Sequence, residues 1–212
     1  IAGARETVLA LDPTAFPITW TPLDATLEPN AAMLPDARLL HNSRPGNILI
    51  RGRVAQGDAE AGLAAAAHVV EGAFETSFVE HAYIEPEAGS AWMDGDTLVI
   101  QACTQAPVMD QDDVANVLGL PAWRGRIIPT AAGGGFGSKL DISLQPLIGL
   151  VSLKTGRPCR MVYTRSESMA STTKRHASRM SARIGIDADG RITGMAFEGD
   201  FNAGPYACWG QT

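Results

Sequence analysis

The stretch AAGGGFGSKLD, residues 131–141, places Gly133, Gly134, Gly135, Phe136 and Gly137 in a row, just ahead of an apolar run that reads as a helix. Each glycine gives up more backbone freedom on folding than any other residue, so a loop this rich in them needs a compensating role. The usual one is close approach of the backbone to a ligand, or a turn with positive φ. A helix following such a loop aims unpaired N–H groups back at it, which makes an anionic or strongly polar ligand the first reading. A ligand-free turn between strand and helix is the competing one.

Two familiar glycine signatures do not fit the spelling. A phosphate loop of the G-x-x-x-x-G-K-S/T kind meets Ser138 at its second glycine and Leu140 where the Mg²⁺-binding hydroxyl belongs. A G-x-G-x-x-G fingerprint meets Ser138 when started at Gly133 and Leu140 when started at Gly135. Neither a nucleoside triphosphate nor a dinucleotide fold follows from the loop, and phosphate binding is left as a weak third reading.

The chain has 212 residues, enough for one large domain or two smaller ones. With 45% hydrophobic and 19% charged residues it reads as a soluble globular protein with a sizeable core. No stretch approaches the length of a membrane-spanning helix. The net charge of −6 argues against nucleic acid as a partner, and the densest basic cluster is only Lys174-Arg175-His176. Cys103, Cys159 and Cys208 match neither a metal pattern nor a disulfide framework, and they are too few to ligate an iron–sulfur cluster. His41, His68, His81 and His176 lack metal-ligand spacing. The start, IAGARETVLALD, has no signal-peptide pattern and reads as a cut, so a cytoplasmic location is the expectation.

Along the chain, residues 1–57 are punctuated by Pro, Asn and Asp and predict a small α/β region with a long connecting segment. A helix from about Asp58 gives way to an alternating strand near Val69. A turn at Asp94-Gly95 leads into a strand from Thr97 to Ala102. An amphipathic helix then turns Val108, Val114, Val117 and Leu118 to one side. RGRIIPTA is a short strand into the glycine loop. Asp141 is read as the N-cap of a helix that ends at Gly156, with Pro146 in its first turns. RPCRMVYTR reads as a further strand, and a hairpin turns at Ala188-Asp189-Gly190. The class is α+β, with mixed α/β content.

Five phrases in this order, FVEHAYIEPEAGSAW, ACTQAP, GGGFGSK, KTGRPCRMVYTRSESM and IDADGRITGMAFEGDFNAGPY, resemble the large subunit of the molybdenum hydroxylases, the xanthine dehydrogenase and aldehyde oxidase family. The resemblance covers roughly residues 45–212. It implies part of a molybdopterin-binding domain over 58–212, preceded over 1–57 by the tail of a hammerhead-like domain. It also implies that Gly133, Gly134, Gly135, Phe136 and Gly137 pack against the molybdenum centre of a molybdopterin cofactor, in its plain or dinucleotide form. Gln105 would hydrogen-bond an oxygen at the metal, placing Gln105 and Phe136 near molybdenum. The physics agrees, because glycines let backbone N–H groups approach, a neutral amide donates without acid–base work, and Phe136 offers an apolar wall.

Two departures qualify the picture. Purine-oxidising members carry a glutamate after the loop lysine, where this chain has Leu140 and then Asp141, so a purine substrate is not implied. The family's catalytic glutamate lies near the far C-terminus, beyond this segment, so no catalytic residue is assigned here. Glu85 and Glu87 read as structural, and Cys103 as a small buried residue rather than a nucleophile. The resemblance therefore implies one wall of a site in an oxidoreductase that oxidises an aldehyde or N-heterocycle with water as oxygen source, inactive as this segment alone. Iron–sulfur and FAD groups, and the remaining molybdopterin-binding segments, would come from other domains or subunits. The alternative is a non-catalytic relative acting as an interaction module.

Overall fold

A computed structural model describes residues 1–207. Its elements in chain order are the helices α1 (Arg5–Leu9), α2 (Pro29–Ala32) and α3 (Ala59–Ala64), the strands β1 (His68–Thr76), β2 (Ala88–Asp94) and β3 (Thr97–Ala102), helix α4 (Pro107–Leu118), strand β4 (Gly125–Pro129), helix α5 (Gln145–Thr155), strand β5 (Cys159–Val162), helix α6 (Arg165–Ser171), and strands β6 (Ala177–Ile186) and β7 (Ile192–Asn202). The mixed α and β class is the one the sequence predicts. Residues 1–57 differ from the α/β expectation, since among the described residues they form only short helical turns and no strand. The frequent prolines there deny the backbone a continuous ladder.

Two compact units divide the chain, Ile1–Thr19 with Glu80–Arg175, and Trp20–Val79 with the described residues from His176 onward. The first is built on a four-stranded sheet ordered β4-β3-β2-β5. β2 runs antiparallel to β3 and β5 through tight register, while β3 and β4 are parallel. A parallel pair needs a crossover longer than a hairpin, and α4 provides it. The core of this unit joins Ala91, Leu98, Ile100 and Ala102 of the sheet to Val114, Leu144 and Ile148. At Gly149 on α5, an added Cβ would sit 3.1 Å from Leu118 and 3.2 Å from Leu98, so that helix lies tight against both helix α4 and the sheet.

Two sequence expectations are corrected here. Val108 and Val117 of α4 are 70% and 62% exposed, and the face turned inward carries Asp110, Val114 and Ala115, with Leu118 packed against the core. The stripe follows positions 110, 114 and 118, one helical turn apart, and a buried acid on it hid the true face. Asp141 is not a helix cap. α5 begins at Gln145 with Leu144 at the cap position, so residues 140–144 separate the helix start from the glycine loop. Gly156 does end α5, with φ 64°. Helix α6, unread in the sequence, carries a reciprocal capping box in which Thr164 and Glu167 satisfy each other's backbone N–H groups.

The second unit is an antiparallel sheet ordered β1-β6-β7. The predicted hairpin closes it, with the Asp187 carboxylate accepting from Asp189 and Arg191 N–H at 2.9 Å each. One face pairs Glu71 with Arg183 and Glu75 with Arg179, and α3 packs at the end of that face near Gly185 and Gly194. Register puts Val70, Ile184 and Met195 in one row of the other face, with Phe74, Phe197 and Phe201 on neighbouring rows, all substantially exposed. Apolar residues exposed in such a contiguous block mark an interaction surface.

Asp110 is fully buried, with Gln145 Nε2 donating to its Oδ2 at 3.0 Å. Burial, opposed by hydrogen bonds from Thr104 and Gln145 and reinforced by the charges of Asp113 and Asp141, raises its pKa to about 6. With the folded pKa above the ordinary value of 3.8, its contribution to stability is whole below about pH 4 and is lost as pH rises through about 6. Asp110→Asn is expected to stabilise the chain at pH 7.5 by about 2–3 kcal/mol and to change little at pH 4, as thermal melts at the two pH values would measure.

Candidate functional site

The strand directions of the first unit deliver four chain segments to one edge of its sheet. β3 and β4 are parallel, so Cys103-Thr104-Gln105 and the residues after Pro129 emerge side by side, and Thr130 N–H continues the ladder by donating to Ala102 O at 3.0 Å. β2 is antiparallel to β3 and β5, so Tyr83–Glu87 precede it at that same edge. Tyr163, just beyond β5, donates its N–H to Glu87 O at 2.8 Å. The space outside the carboxyl ends of parallel strands is where open α/β sheets bind ligands.

Gln105 and the glycine loop meet there. The Gln105 side-chain oxygen accepts from Gly137 N–H at 3.0 Å and from Lys139 N–H at 3.3 Å, while its own backbone N–H donates to Lys139 O at 2.9 Å. Gly135 is the residue this contact demands. A Cβ there would lie 2.3 Å from Gln105 Oε1, well inside contact distance. Gly134 and Gly137 adopt φ of 105° and 96°, and Phe136 adopts φ 53°, a conformation that strains a bulky side chain. Phe136 is 74% exposed, with its ring above Gly134.

The opposite side of the loop is tied by charge. Glu85 Oε2 accepts from Gly133 N–H at 2.6 Å and pairs with Lys139 Nζ at 3.1 Å. The Lys139 ammonium also donates to Glu85 O at 3.1 Å and lies 4.5 Å from the centre of the Tyr83 ring. Tyr83 donates its hydroxyl to Glu87, and burial, with that carboxylate bond, raises the phenol pKa. Glu85 and Glu87 thus hold the loop and its floor. Burial likewise raises the Cys103 thiol, which keeps it a protonated small side chain. Cys208 lies outside the described residues.

The arrangement suits a polar ligand. Gln105 spends its oxygen on the loop, and among the described residues its Nε2 has no partner, so two amide donors are turned outward beside glycine backbone and an exposed ring. Among the described residues, no group of three or more His, Cys, Asp or Glu is placed to hold a metal ion. Tyr83 and Lys139 were missed in the sequence. The alternation Tyr83-x-Glu85-x-Glu87, followed much later by a lysine closing a glycine loop, was the available signal.

Residues 40–212 match the molybdopterin cofactor-binding domain. The chain belongs to this family. It is 34% identical to the nicotinate dehydrogenase large molybdopterin subunit of Eubacterium barkeri over 95% of its length, and 30% identical to the xanthine dehydrogenase molybdenum-binding subunit of Escherichia coli O157:H7 over 92%. It spans 47% and 26% of the lengths of those two relatives. The aldehyde oxidoreductase of Desulfovibrio desulfuricans superposes on 85% of the chain with a TM-score of 0.75 at 25% identity, the chain spanning 20% of that protein. The molybdopterin-domain assignment gives the molybdenum-binding domain of the xanthine dehydrogenase and aldehyde oxidase family as the frame for the site. No described helix is long and apolar enough to cross a membrane.

The geometry separates two glycines. Gly135→Ala is expected to cost about 2–3 kcal/mol, because the methyl displaces Gln105. Gly137→Ala, with nothing within 4 Å, should cost about 1–2 kcal/mol from its backbone conformation alone. Denaturant midpoints of the two variants would rank them, and a smaller loss for Gly135→Ala would overturn the assignment of Gly135 as the contact-limited position.

Proposed function

We propose that this chain supplies one wall of the cofactor site in a molybdenum hydroxylase that oxidises an aldehyde or hydroxylates an N-heterocycle, taking its oxygen from water. The observation that carries the reading is Gln105, held through its oxygen by Gly137 and Lys139 with both amide hydrogens left to donate outward over the glycine cradle. When bound, the molybdopterin cofactor would supply two-electron redox chemistry at its metal.

The chain's own residues orient and shield. Gln105 would donate to a polar atom of the cofactor, the backbone of Gly133, Gly134, Gly135 and Gly137 would let it approach, and the exposed ring of Phe136 would exclude water. Gln105 and Phe136 would stand nearest the metal. Neither Glu85 nor Glu87 is offered as general base, since Glu85 is paired with Lys139 and Glu87 is buried against Tyr83. The base and further pterin contacts would come from the remaining molybdopterin-binding segments, for which the apolar face bearing Phe74, Phe197 and Phe201 is a fitting surface. Iron–sulfur and FAD groups on partner domains or subunits would carry electrons away, and the assembly would work in the cytoplasm. The proposed division keeps 1–57 as the end of a hammerhead-like region and 58–212 as the molybdopterin-binding part.

The same apolar face favours a second reading, a non-catalytic relative whose role is to dock. Metal and pterin analysis of the chain, purified with whatever accompanies it, separates the two. Molybdenum near one per chain supports the first, and its absence supports the second. In the complete enzyme, Gln105→Ala and Phe136→Ala should each lower kcat about tenfold or more, with Tm changing little for the exposed Phe136 and falling for Gln105→Ala, which strips the N–H groups of Gly137 and Lys139 of their acceptor. Unchanged turnover in both would sink the site.

A further inference from the structure

The glycine loop is fastened at its two ends by one carboxylate. Glu85 Oε2 takes the N–H of Gly133, the loop's first glycine, and the ammonium of Lys139, its last residue. Lys139 is 3% exposed, a burial that an ammonium tolerates only when paired and hydrogen-bonded. Its surroundings meet that condition through the Glu85 carboxylate, the Glu85 backbone oxygen and the Tyr83 ring. Tyr83 in turn stands on Glu87, so the fastening rests on a second buried polar contact. Between the two ends, Gly134, Phe136 and Gly137 all hold positive φ, conformations that an untethered loop would leave for others.

We propose that Lys139 and Glu85 are positioning residues, a buried clasp that sets the cradle's shape before any cofactor arrives. The proposal rests on the reading of the loop as a cofactor cradle, but the clasp itself concerns only this chain. It divides the work with Gln105, which fixes the middle of the loop at Gly137 while the ion pair fixes its ends. A preformed cradle spares the cofactor the entropy of ordering glycines, so the clasp would act on cofactor retention rather than on the reacting atoms.

The test is hydrogen exchange of the peptide covering residues 131–141, read by mass spectrometry on the chain with its co-purifying proteins, from cells grown with and without molybdate. Molybdenum per chain is measured on the same samples. Lys139→Met and Glu85→Gln should each speed exchange of that peptide about tenfold, the equivalent of one net hydrogen bond, with and without molybdate. Exchange in α4 should stay unchanged, and molybdenum content should fall. The double variant strands no buried charge, so its effect should be smaller than the product of the single ones, and it serves as the readable variant if a single one fails to fold. Unchanged exchange in the variants, or single effects that multiply independently in the double variant, would overturn the clasp. Faster exchange with undiminished molybdenum would support the clasp and remove the cofactor-cradle reading instead.

Discussion

One oxygen atom organises the loop. The side-chain carbonyl of Gln105 accepts two N–H groups from a segment far along the chain, and that bond exists only because Gly135 has no side chain to stand in the way. Much of the surrounding structure can be derived from this meeting. It requires Gln105 and the loop to leave the sheet at the same edge, which requires β3 and β4 to be parallel, which requires a crossover of the length of α4. The helix must then lie flat on the sheet, and the core of Ala91, Ile100, Val114 and Ile148 is what holds it down.

The elements that were legible in the sequence are those with a local cause. The turn at Asp94-Gly95, the end of α5 at Gly156 and the hairpin at Gly190 are each written by a residue suited to positive φ, and no distant contact competes with them. The face of α4 was not legible, because its inward stripe includes Asp110, an acid whose burial is made tolerable by Gln145, a residue in another element. The same holds for Asp141. Its side chain has the chemistry of a cap, but tertiary packing around Leu144 decides where the helix begins. Helix α6 is the opposite case, since Thr164 and Glu167 spell a capping box that could have been read directly.

The candidate site divides along similar lines. The glycines were singled out by their density ahead of a helix and Gln105 because its phrase resembles a family, and the structure brings Gln105, Gly135 and Gly137 into contact. Spacing alone would not have joined them. Lys139 was considered only as part of a phosphate loop that the spelling ruled out, and its buried pairing with Glu85 depends on β2 running back past the loop, a long-range fact with no local signature.

The distribution of charge around the loop also constrains what chemistry the site can host. Glu85 and Lys139 cancel beneath the cradle, Glu87 is occupied by Tyr83, and Gln105 is neutral. The surface turned outward is therefore built of amide donors and one aromatic ring, the loop's lysine being buried beneath it. Such a surface orients a ligand by hydrogen bonds whose strength does not change with pH near neutrality, and it leaves proton transfer to groups elsewhere. Under the proposed function, such a wall would hold a redox centre in place while the acid–base work is done from another side.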